Sequence, residues 1–542
     1  MASDRPKSRG WPARRNPRHA AQLDSVSDPG MSLDQLVVEL GGRLSGPSGG
    51  AANSASQLRV TGVQQDSRRI EPGDLFVALR GQSSDGAAFA TAAVERGAVA
   101  VLLDRGRQLE LTVPTVEVDS LRLAMARAAA LVYGRPSEQL TVVGITGTNG
   151  KTTTAHVVGT CLAGCGVRPA VVGTLGYFFE GEEHPSTHTS PEADEMQRVA
   201  ASLSGHGATH LVMEVSSIAL AADRVAEMSF DVGVFTNLSQ DHLDYHGTMA
   251  EYGAAKEQLF FDHRPSVAVI NVDDPFGAQL ADKVRAAELC RLIRVSLRDP
   301  VEVYALDHRF IGGGMELSLV VAEPALPPVK GAQQRYGVTA PFTGTFNVSN
   351  VLCAVAVVHA LGLDVGEALT ALAEAAPVPG RLERCDEAGD DVVALVDYAH
   401  SPGALQRVLE SIRPTAGARL WCVFGCGGDR DADKRGLMGE AVAQGAQVAI
   451  VTNDNPRSEP PETIAAAVVS GLERGGASDV RVELDRARAI DQAVQQADPG
   501  DVVLVAGKGH EPYQIIGDQV ADFDDRVALR ASLRRRRGEG AE

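Results

Sequence analysis

From Leu140 onward the chain repeats one pattern: a short apolar run, a polar or glycine-rich break, then apolar positions at helical spacing. The runs Thr141–Ile145, Ala170–Gly173, His210–Val215, Val232–Thr236 and Val267–Asn271 are nearly continuous in apolar residues. Such runs predict strands covered on both faces, and the helical patterns between several of them predict a largely parallel sheet. Near Pro379 the pattern starts again, with strands expected at Val392–Val396, Leu420–Phe424, Val448–Val451 and Val502–Val505. Each of these is followed by a polar cluster: Asp397-Tyr398-Ala399-His400, Gly425 to Arg430, Asn453-Asp454-Asn455-Pro456-Arg457, and Gly507-Lys508-Gly509-His510-Glu511. In a parallel sheet the strand C-terminal ends share one edge, so four polar loops are expected in one cleft.

The pattern before residue 138 is weaker. Residues 41–57 are rich in Gly, Ser and Ala without periodicity and read as a flexible surface loop. Short strand-like runs at Val60–Val63 and Leu75–Leu79 flank a turn at Pro72-Gly73, and an apolar run at Ala98–Leu103 comes after a helical pattern. This is a small α/β unit. Periodicity begins only at Ser32, so residues 1–30 are expected to be a disordered extension, with Met31 an alternative start.

A length of 542 residues exceeds one ordinary core and predicts two to four domains. With 44% hydrophobic and 22% charged residues the composition is that of a soluble globular protein. A net charge of −19 argues against a general nucleic-acid or membrane-surface binder, though not against a local anion site. The basic stretches Arg5 to Arg18 and Arg534 to Arg537 are expected to be solvated tails. Seven cysteines form no disulfide framework, and the pairs Cys161/Cys165 and Cys422/Cys426 lack a histidine cluster, so buried thiols are expected instead of zinc ligands. No apolar run reaches the length of a membrane span, and the first residues lack the apolar core of a secretory signal.

Candidate chemistry begins at Gly144-Ile145-Thr146-Gly147-Thr148-Asn149-Gly150-Lys151-Thr152-Thr153, between a strand and a helix. Glycine-rich backbone wraps a triphosphate with N–H groups, the helix N-terminus adds positive potential, Lys151 neutralises phosphate and Thr152 is placed to meet Mg²⁺. Gly144 stands six residues before Gly150, one more than in the usual P-loop, so this is a variant. Glu214 closes a strand, and Asp241, His242, Asp244 and His246 follow another, all on the same expected edge. Lys256 lies in an apparent helix, and from physics alone it reads as a surface lysine.

Residues 144–153, 213–217, 236–246, 252–260, 343–350, 380–383, 397–402 and 425–511 together resemble the Mur ligase family in order and separation. That resemblance implies an α/β fold of three domains: 31–138 for the UDP end of the substrate, 139–378 as a central P-loop-type, doubly wound, mostly parallel ATP-binding sheet, and 379–542 as a Rossmann-like amino-acid domain. It implies an ATP-dependent amide ligase of peptidoglycan synthesis, cytoplasmic and monomeric, using ATP and Mg²⁺. ATP would be held by Gly147, Thr148, Asn149, Gly150, Lys151, Thr152, Thr153, Asn347, Asn350, Arg381 and Asp397. UDP-N-acetylmuramoyl-dipeptide would meet Ser67, Arg68, Gln82, Ser83, Ser84, Thr189, Ser190, Ser216, Arg224 and Lys256. Metal would be held by Thr152, Glu214, His242 and Lys256, the last carbamylated by CO₂. The run Asp454 to Arg457 with Gly507 to Glu511 is similar to the branch that adds meso-diaminopimelate, and implies contacts from Arg430, Asp454, Asn455, Pro456, Arg457, Gly507 and Glu511. The reaction implied passes through an acyl phosphate: the substrate carboxylate takes the γ-phosphoryl group, then an amine displaces phosphate. Ile218 and Ala222 stand where relatives carry His and Gln. Alternatives are the lysine-adding branch, a folylpolyglutamate-synthetase-like ligase and, outside enzymes, a nucleotide-switched binding protein.

Overall fold

The computed structural model describes residues 30–46, 58–81, 84–186, 188–311, 314–322, 333–412 and 417–539. The expected extension, apart from Gly30, lies outside these residues, as do Gln82 and Ser83.

Three sheets organise the chain. An 11-stranded sheet sits in the middle, and its parallel core runs in the order Pro169–Gly173, His210–Glu214, Thr141–Thr146, Val232–Phe235, Val267–Asn271, Arg291–Ser296. The P-loop strand is therefore central, and its last residues are buried on both faces because helices cover both sides. Helix Lys151–Gly164 is buried almost all round, with Val157, Val158, Cys161 and Leu162 against one face of the sheet. On the other face, Met196, Val199 and Leu203 of helix Ala193–Gly205 pack with Leu259 and Phe260 of helix Met249–Phe261. Antiparallel strands extend both edges: Gly176–Phe179 and Glu182–His184 on one side, Gly314–Ala322 and Gln333–Ala340 beyond Val303–Ile311 on the other.

A 5-stranded sheet forms the N-terminal unit and a 6-stranded sheet the C-terminal one. In the latter, Val393–Asp397, Val502–Ala506, Leu420–Phe424, Val448–Val451 and Val480–Val482 are parallel neighbours in that order. The four polar loops expected on one edge do leave this sheet at its strand C-terminal ends.

Two expectations need correction. Arg43–Ser45, read as part of a flexible loop, is a strand paired antiparallel to Thr115–Val118, with Leu44 opposite Val116. Three residues carry no periodicity of their own, and a preformed sheet edge decides their conformation. The run Arg534 to Arg537 is not a solvated tail. It ends helix Asp525–Arg536, where Arg535 pairs with Asp491 at 2.8 Å, Arg536 with Asp391 at 2.6 Å and Arg537 with Asp390 at 2.6 Å. Cations in a last helical turn suit the helix dipole, but the acidic partners come from distant sequence that only folding brings near. All seven cysteines are free; Cys161, Cys422 and Cys426 are buried as expected, whereas Cys165, just past the end of helix Lys151–Gly164, is only half-buried.

Candidate active site

The P-loop takes its shape from two glycines. Gly147 has φ 144° and Gly150 φ 87°. A Cβ at Gly147 would lie 2.0 Å from Thr236 Oγ1, and one at Gly150 2.5 Å from Asn350 Oδ1. The loop is braced from the next strand end: Asn149 N–H donates to Asn237 Oδ1 at 3.1 Å, Thr236 Oγ1 donates to Asn149 O at 2.7 Å, and Thr148 Oγ1 donates to Ser239 O at 3.1 Å. Lys151 Nζ folds over the loop and donates to Gly147 O at 2.8 Å and Thr148 O at 2.9 Å.

Beside it, Thr152 Oγ1 donates to Glu214 Oε2 at 3.0 Å and receives a bond from Arg381 Nη2 at 3.1 Å. Glu214 is buried and is also held by Thr174, whose N–H donates to Oε1 at 2.7 Å. The hydroxyls expected to meet the peptide gather here too. Thr174 Oγ1 is 3.0 Å from Thr189 Oγ1, Ser190 Oγ donates to Glu214 O at 2.9 Å, and Ser216 Oγ lies 3.4 Å from Ser190 Oγ. Arg224 joins them through Ser190 O at 3.3 Å and pairs with Glu192 at 3.0 Å.

Lys256 overturns its reading as a surface lysine. It is 1% exposed on the inner face of helix Met249–Phe261, with Nζ 4.3 Å from the centre of the Tyr252 ring. Tyr252 in turn donates to Thr148 Oγ1 at 3.1 Å, so the lysine is packed under the P-loop. Periodicity identified the helix but not which face would be covered. Burial, then the charge of Lys151, drives the Lys256 ammonium well below its ordinary range, with Asp241 opposing. Burial likewise lowers Lys151, with Glu214 and Asp241 opposing. His242 sits at φ 51° with its ring Nε2 3.7 Å from Asp241 Oδ2; its side chain is 48% exposed, and the partial desolvation it does experience lowers its pKa. His246 instead pairs with Ser217 Oγ at 2.9 Å.

Asn347 and Asn350 are buried against the start of the P-loop helix: Asn350 Nδ2 donates to Asn347 Oδ1 at 2.9 Å, and Thr154 Oγ1 donates to Asn350 Oδ1 at 3.2 Å. Arg381 stacks on Tyr398, its guanidinium carbon 4.4 Å from the ring centre. Asp397 accepts from Leu382 N–H and Ala399 N–H, both at 2.7 Å, so one oxygen holds the turn that presents Arg381 and the other holds its own loop. Gly380, in that same turn, packs against the backbone of Gly509 and His510, which joins the P-loop set to the loops at the C-terminal sheet's edge.

Among those loops, Arg457 has φ 51° and donates from Nη1 to Gly428 O at 2.7 Å. Asn455 Nδ2 donates to Glu511 Oε2 at 3.1 Å. Gly507, at φ 115°, lets the chain pass Asp454, whose Oδ2 would lie 2.9 Å from a Cβ there. Pro456 O comes close to Gly428, leaving no room for a side chain at that glycine. Arg430 is exposed, its stem passing Gly427 near Arg457. Ser67 and Arg68 form a short 3-10 turn on the N-terminal unit, where exposed Arg68 pairs with Asp66 at 2.8 Å. Ser84 is exposed and its carbonyl accepts from Gly81 N–H at 2.8 Å. Among the described residues no hydrogen bond or ion pair joins these three to the P-loop set.

The sequence reading missed four residues that brace the site: Thr174, Tyr252, Arg407 and Lys508. Arg407 Nη2 reaches from the C-terminal sheet's first helix to Ser239 Oγ at 3.1 Å. Of these, Tyr252 opens the stretch 252–260 and Lys508 lies within Gly507 to Glu511, where the glycine neighbours were the available signal.

The arrangement suits a polyanion. Lys151 and Arg381 approach one buried carboxylate, Glu214, with Lys256 buried beneath the P-loop, and neither lysine has a carboxylate within ion-pair distance among the described residues. Uncompensated buried cations are costly, and a phosphate chain neutralises them. Among the described residues no group of three His, Cys, Asp or Glu is set to hold a metal ion. Thr152 and Glu214 still offer converging hard oxygen donors, the kind Mg²⁺ prefers when phosphate and water complete its shell.

Comparison with known proteins matches three family models end to end: Mur ligase family, catalytic domain, over residues 59–141; Mur ligase middle domain over 145–358; and Mur ligase, glutamate ligase domain, over 380–509. The chain is 41% identical over 485 residues to UDP-N-acetylmuramoyl-L-alanyl-D-glutamate--2,6-diaminopimelate ligase of Geobacillus thermodenitrificans, covering 88% of this chain and 96% of that one. It is 41% identical over 511 residues to the protein of the same name from Streptomyces coelicolor, covering 90% and 95%. A solved structure of a protein with that name aligns with TM-score 0.62 at 31% identity, covering 90% of this chain and 97% of that one. Folylpolyglutamate synthase of Mycobacterium tuberculosis shares the fold over 71% of this chain at 21% identity, with TM-score 0.57.

Proposed function

This chain belongs to the Mur ligase family, and from that premise we propose how its residues divide the work of an ATP-dependent amide ligase. It joins meso-diaminopimelate to UDP-N-acetylmuramoyl-L-alanyl-D-glutamate in peptidoglycan synthesis. The observation that carries the division of labour is the meeting of Lys151 and Arg381 at Thr152 and Glu214, with Lys256 buried beneath the P-loop.

The difficulty in the first step is anion against anion, since a carboxylate attacks the γ-phosphorus of ATP. In our reading the N–H groups of Gly147 to Thr153 and the Lys151 ammonium hold the phosphates, while Arg381 reaches the transferred group from the C-terminal domain. Asn347 and Asn350 orient the loop toward adenine, and Asp397 fixes the Arg381 turn. Thr189, Ser190, Ser216 and Arg224 present the dipeptide carboxylate. Ser67, Arg68, Gln82, Ser83 and Ser84 hold the uridine diphosphate. Thr152, Glu214, His242 and Lys256, as its carbamate, would hold Mg²⁺, which when bound supplies charge neutralisation at the phosphates. Breaking the γ-phosphate to β-phosphate bond yields an acyl phosphate and ADP. The diaminopimelate amine, held by Arg430, Asp454, Asn455, Arg457, Gly507 and Glu511 with Pro456 stiffening the loop, then displaces phosphate.

Reactant-binding groups sit on separate sheets, so the domains, at limits 31–138, 139–378 and 379–542, must close to assemble the site and keep water from the acyl phosphate. We take the enzyme to act as a cytoplasmic monomer; no helix among the described residues is long and apolar enough to cross a membrane. The test is phosphate release from ATP with the UDP-muramyl-dipeptide, plus and minus a panel of amines. Release should need dipeptide, Mg²⁺ and diaminopimelate together. Equal hydrolysis without dipeptide would sink the assignment and favour a nucleotide switch.

A further inference from the structure

Beneath the proposed amino-acid loops lies a cation that the division of labour above does not use. Lys508 is 0% exposed, and its Nζ donates to Glu511 Oε2 at 3.2 Å and Asn455 Oδ1 at 3.2 Å, with Asp454 Oδ1 at 3.8 Å. Asn455 is locked in one orientation: its oxygen also accepts from Ile515 N–H at 2.9 Å, and its amide nitrogen donates to Glu511 Oε2 at 3.1 Å. Glu511 Oε2 thus takes two donors, whereas Oε1 receives no hydrogen bond from a described residue.

We propose that Lys508 is the positioning residue of the amine-acceptor site, clamping one oxygen of Glu511 so that the other is presented to the ammonium of the incoming amino acid. This rests on the reading of Asp454, Asn455 and Glu511 as the diaminopimelate site. Lys508 has no exposed surface and acts only through its partners. Its charge also sets the local balance. Asp454 and Glu511 alone would place two negative charges in one pocket, repelling each other and over-matching a single ammonium. Lys508 offsets one of these two charges at the ammonium side of the site, while Arg430 and Arg457 in the same cleft are left for the substrate carboxylates. The buried Arg486–Asp525 pair below is self-neutral and leaves that balance intact.

The purified full chain, assayed with ATP and the UDP-dipeptide while diaminopimelate is varied, tests this. Lys508→Met should raise the KM for diaminopimelate roughly 10–100-fold, as expected for losing hydrogen bonds to charged groups. The KM for ATP and for the UDP-dipeptide should stay within about twofold of wild type, the spread of independent sites. In the double variant with Glu511→Gln, the KM for diaminopimelate should match Glu511→Gln alone, because Lys508 works through that carboxylate. A KM for diaminopimelate unchanged in Lys508→Met, an equal rise in all three KM values, or multiplicative losses in the double variant overturns the proposal. If Lys508→Met does not fold, Lys508→Arg carries the test: its planar fork replaces a point donor, and an unchanged diaminopimelate KM overturns the idea. Failure of the wild type to use diaminopimelate would be a different result, sinking the substrate reading itself.

Discussion

Arg381 and Thr152 are 229 residues apart in the chain, yet Nη2 of the arginine donates to Oγ1 of the threonine at 3.1 Å. The bond ties the C-terminal sheet to the P-loop at the point where γ-phosphate chemistry is proposed. Arg381→Ala should lower kcat about 10²–10³-fold, the usual cost of one preorganised transition-state donor. The KM for diaminopimelate should change little. Arg381→Lys should recover little, because an ammonium neither stacks on Tyr398 nor forks. Steady-state kinetics with each substrate varied checks this, and a near-normal kcat in Arg381→Ala would remove Arg381 from the phosphate site.

Burial, with the charge of Lys151, lowers the pKa of the Lys256 amine, and a neutral amine is the nucleophile that attacks CO₂ to give a carbamate. Lys256→Ala should lose most activity and regain part of it with small carboxylates at high concentration. Full activity in Lys256→Arg would show that positive charge, not a carbamate, is required.

The same residue has a stability consequence. Unfolded, Lys256 holds its proton up to about its ordinary 10.5; folded, burial and Lys151 strip the proton at lower pH. The unfolded state therefore binds more protons, and stability rises with pH towards that value. In CO₂-free buffer, Lys256→Met should raise Tm at pH 7 by a few degrees, about 2–4 °C per kcal/mol. The gain should shrink as pH approaches the unfolded value. A gain independent of pH would show that packing, not charge, is responsible.

Arg457 points its guanidinium at Gly428 O beside the strand C-terminal ends of the C-terminal sheet. A planar guanidinium holds a second carboxylate through two parallel bonds, and lysine as substrate would leave it desolvated and unpaired. Wild type should prefer diaminopimelate over lysine by roughly 10⁴–10⁵ in kcat/KM. Arg457→Ala should lose far more diaminopimelate activity than lysine activity; proportional losses, or a wild-type preference for lysine, contradict the assignment.

Arg486 and Asp525 form a pair with both side chains 0% exposed, and Arg486 also holds Asn453 O at 3.1 Å and Ala506 O at 3.0 Å. It ties the roots of two loops at the C-terminal sheet's edge to the C-terminal helix. Asp525→Ala should cost about 3–5 kcal/mol, because it strands a buried cation. Denaturant unfolding followed by Trp421 fluorescence reads this in the C-terminal domain, and a loss under about 1 kcal/mol would mean that the pair is solvated.

The strand order of function was legible early because its signals are local. Runs such as Val142-Val143 before Gly147, or Val448–Val451 before Asn453, carry strand, turn and loop chemistry within a dozen residues. Several members of the P-loop set, notably Gly147, Gly150, Lys151, Thr152 and Glu214, stand together where the pattern placed them. The contacts of Gln82 and Ser83 fall outside the described residues.

What lay beyond the sequence were relationships between distant segments. Helical periodicity finds helix Met249–Phe261 but is silent on whether Lys256 faces water or the P-loop; the neighbouring sheet decides. Arg43–Ser45 and Arg534 to Arg537 look featureless because their partners, Thr115–Val118 and Asp390, Asp391 and Asp491, are far along the chain. The sequence by itself determined the motifs and the strand–loop–helix grammar, since these depend on backbone sterics and neighbouring residues. Only the tertiary structure decided which cations are buried, which carboxylates they meet and which loops share a cleft, because burial and charge pairing depend on what folding brings within a few ångströms.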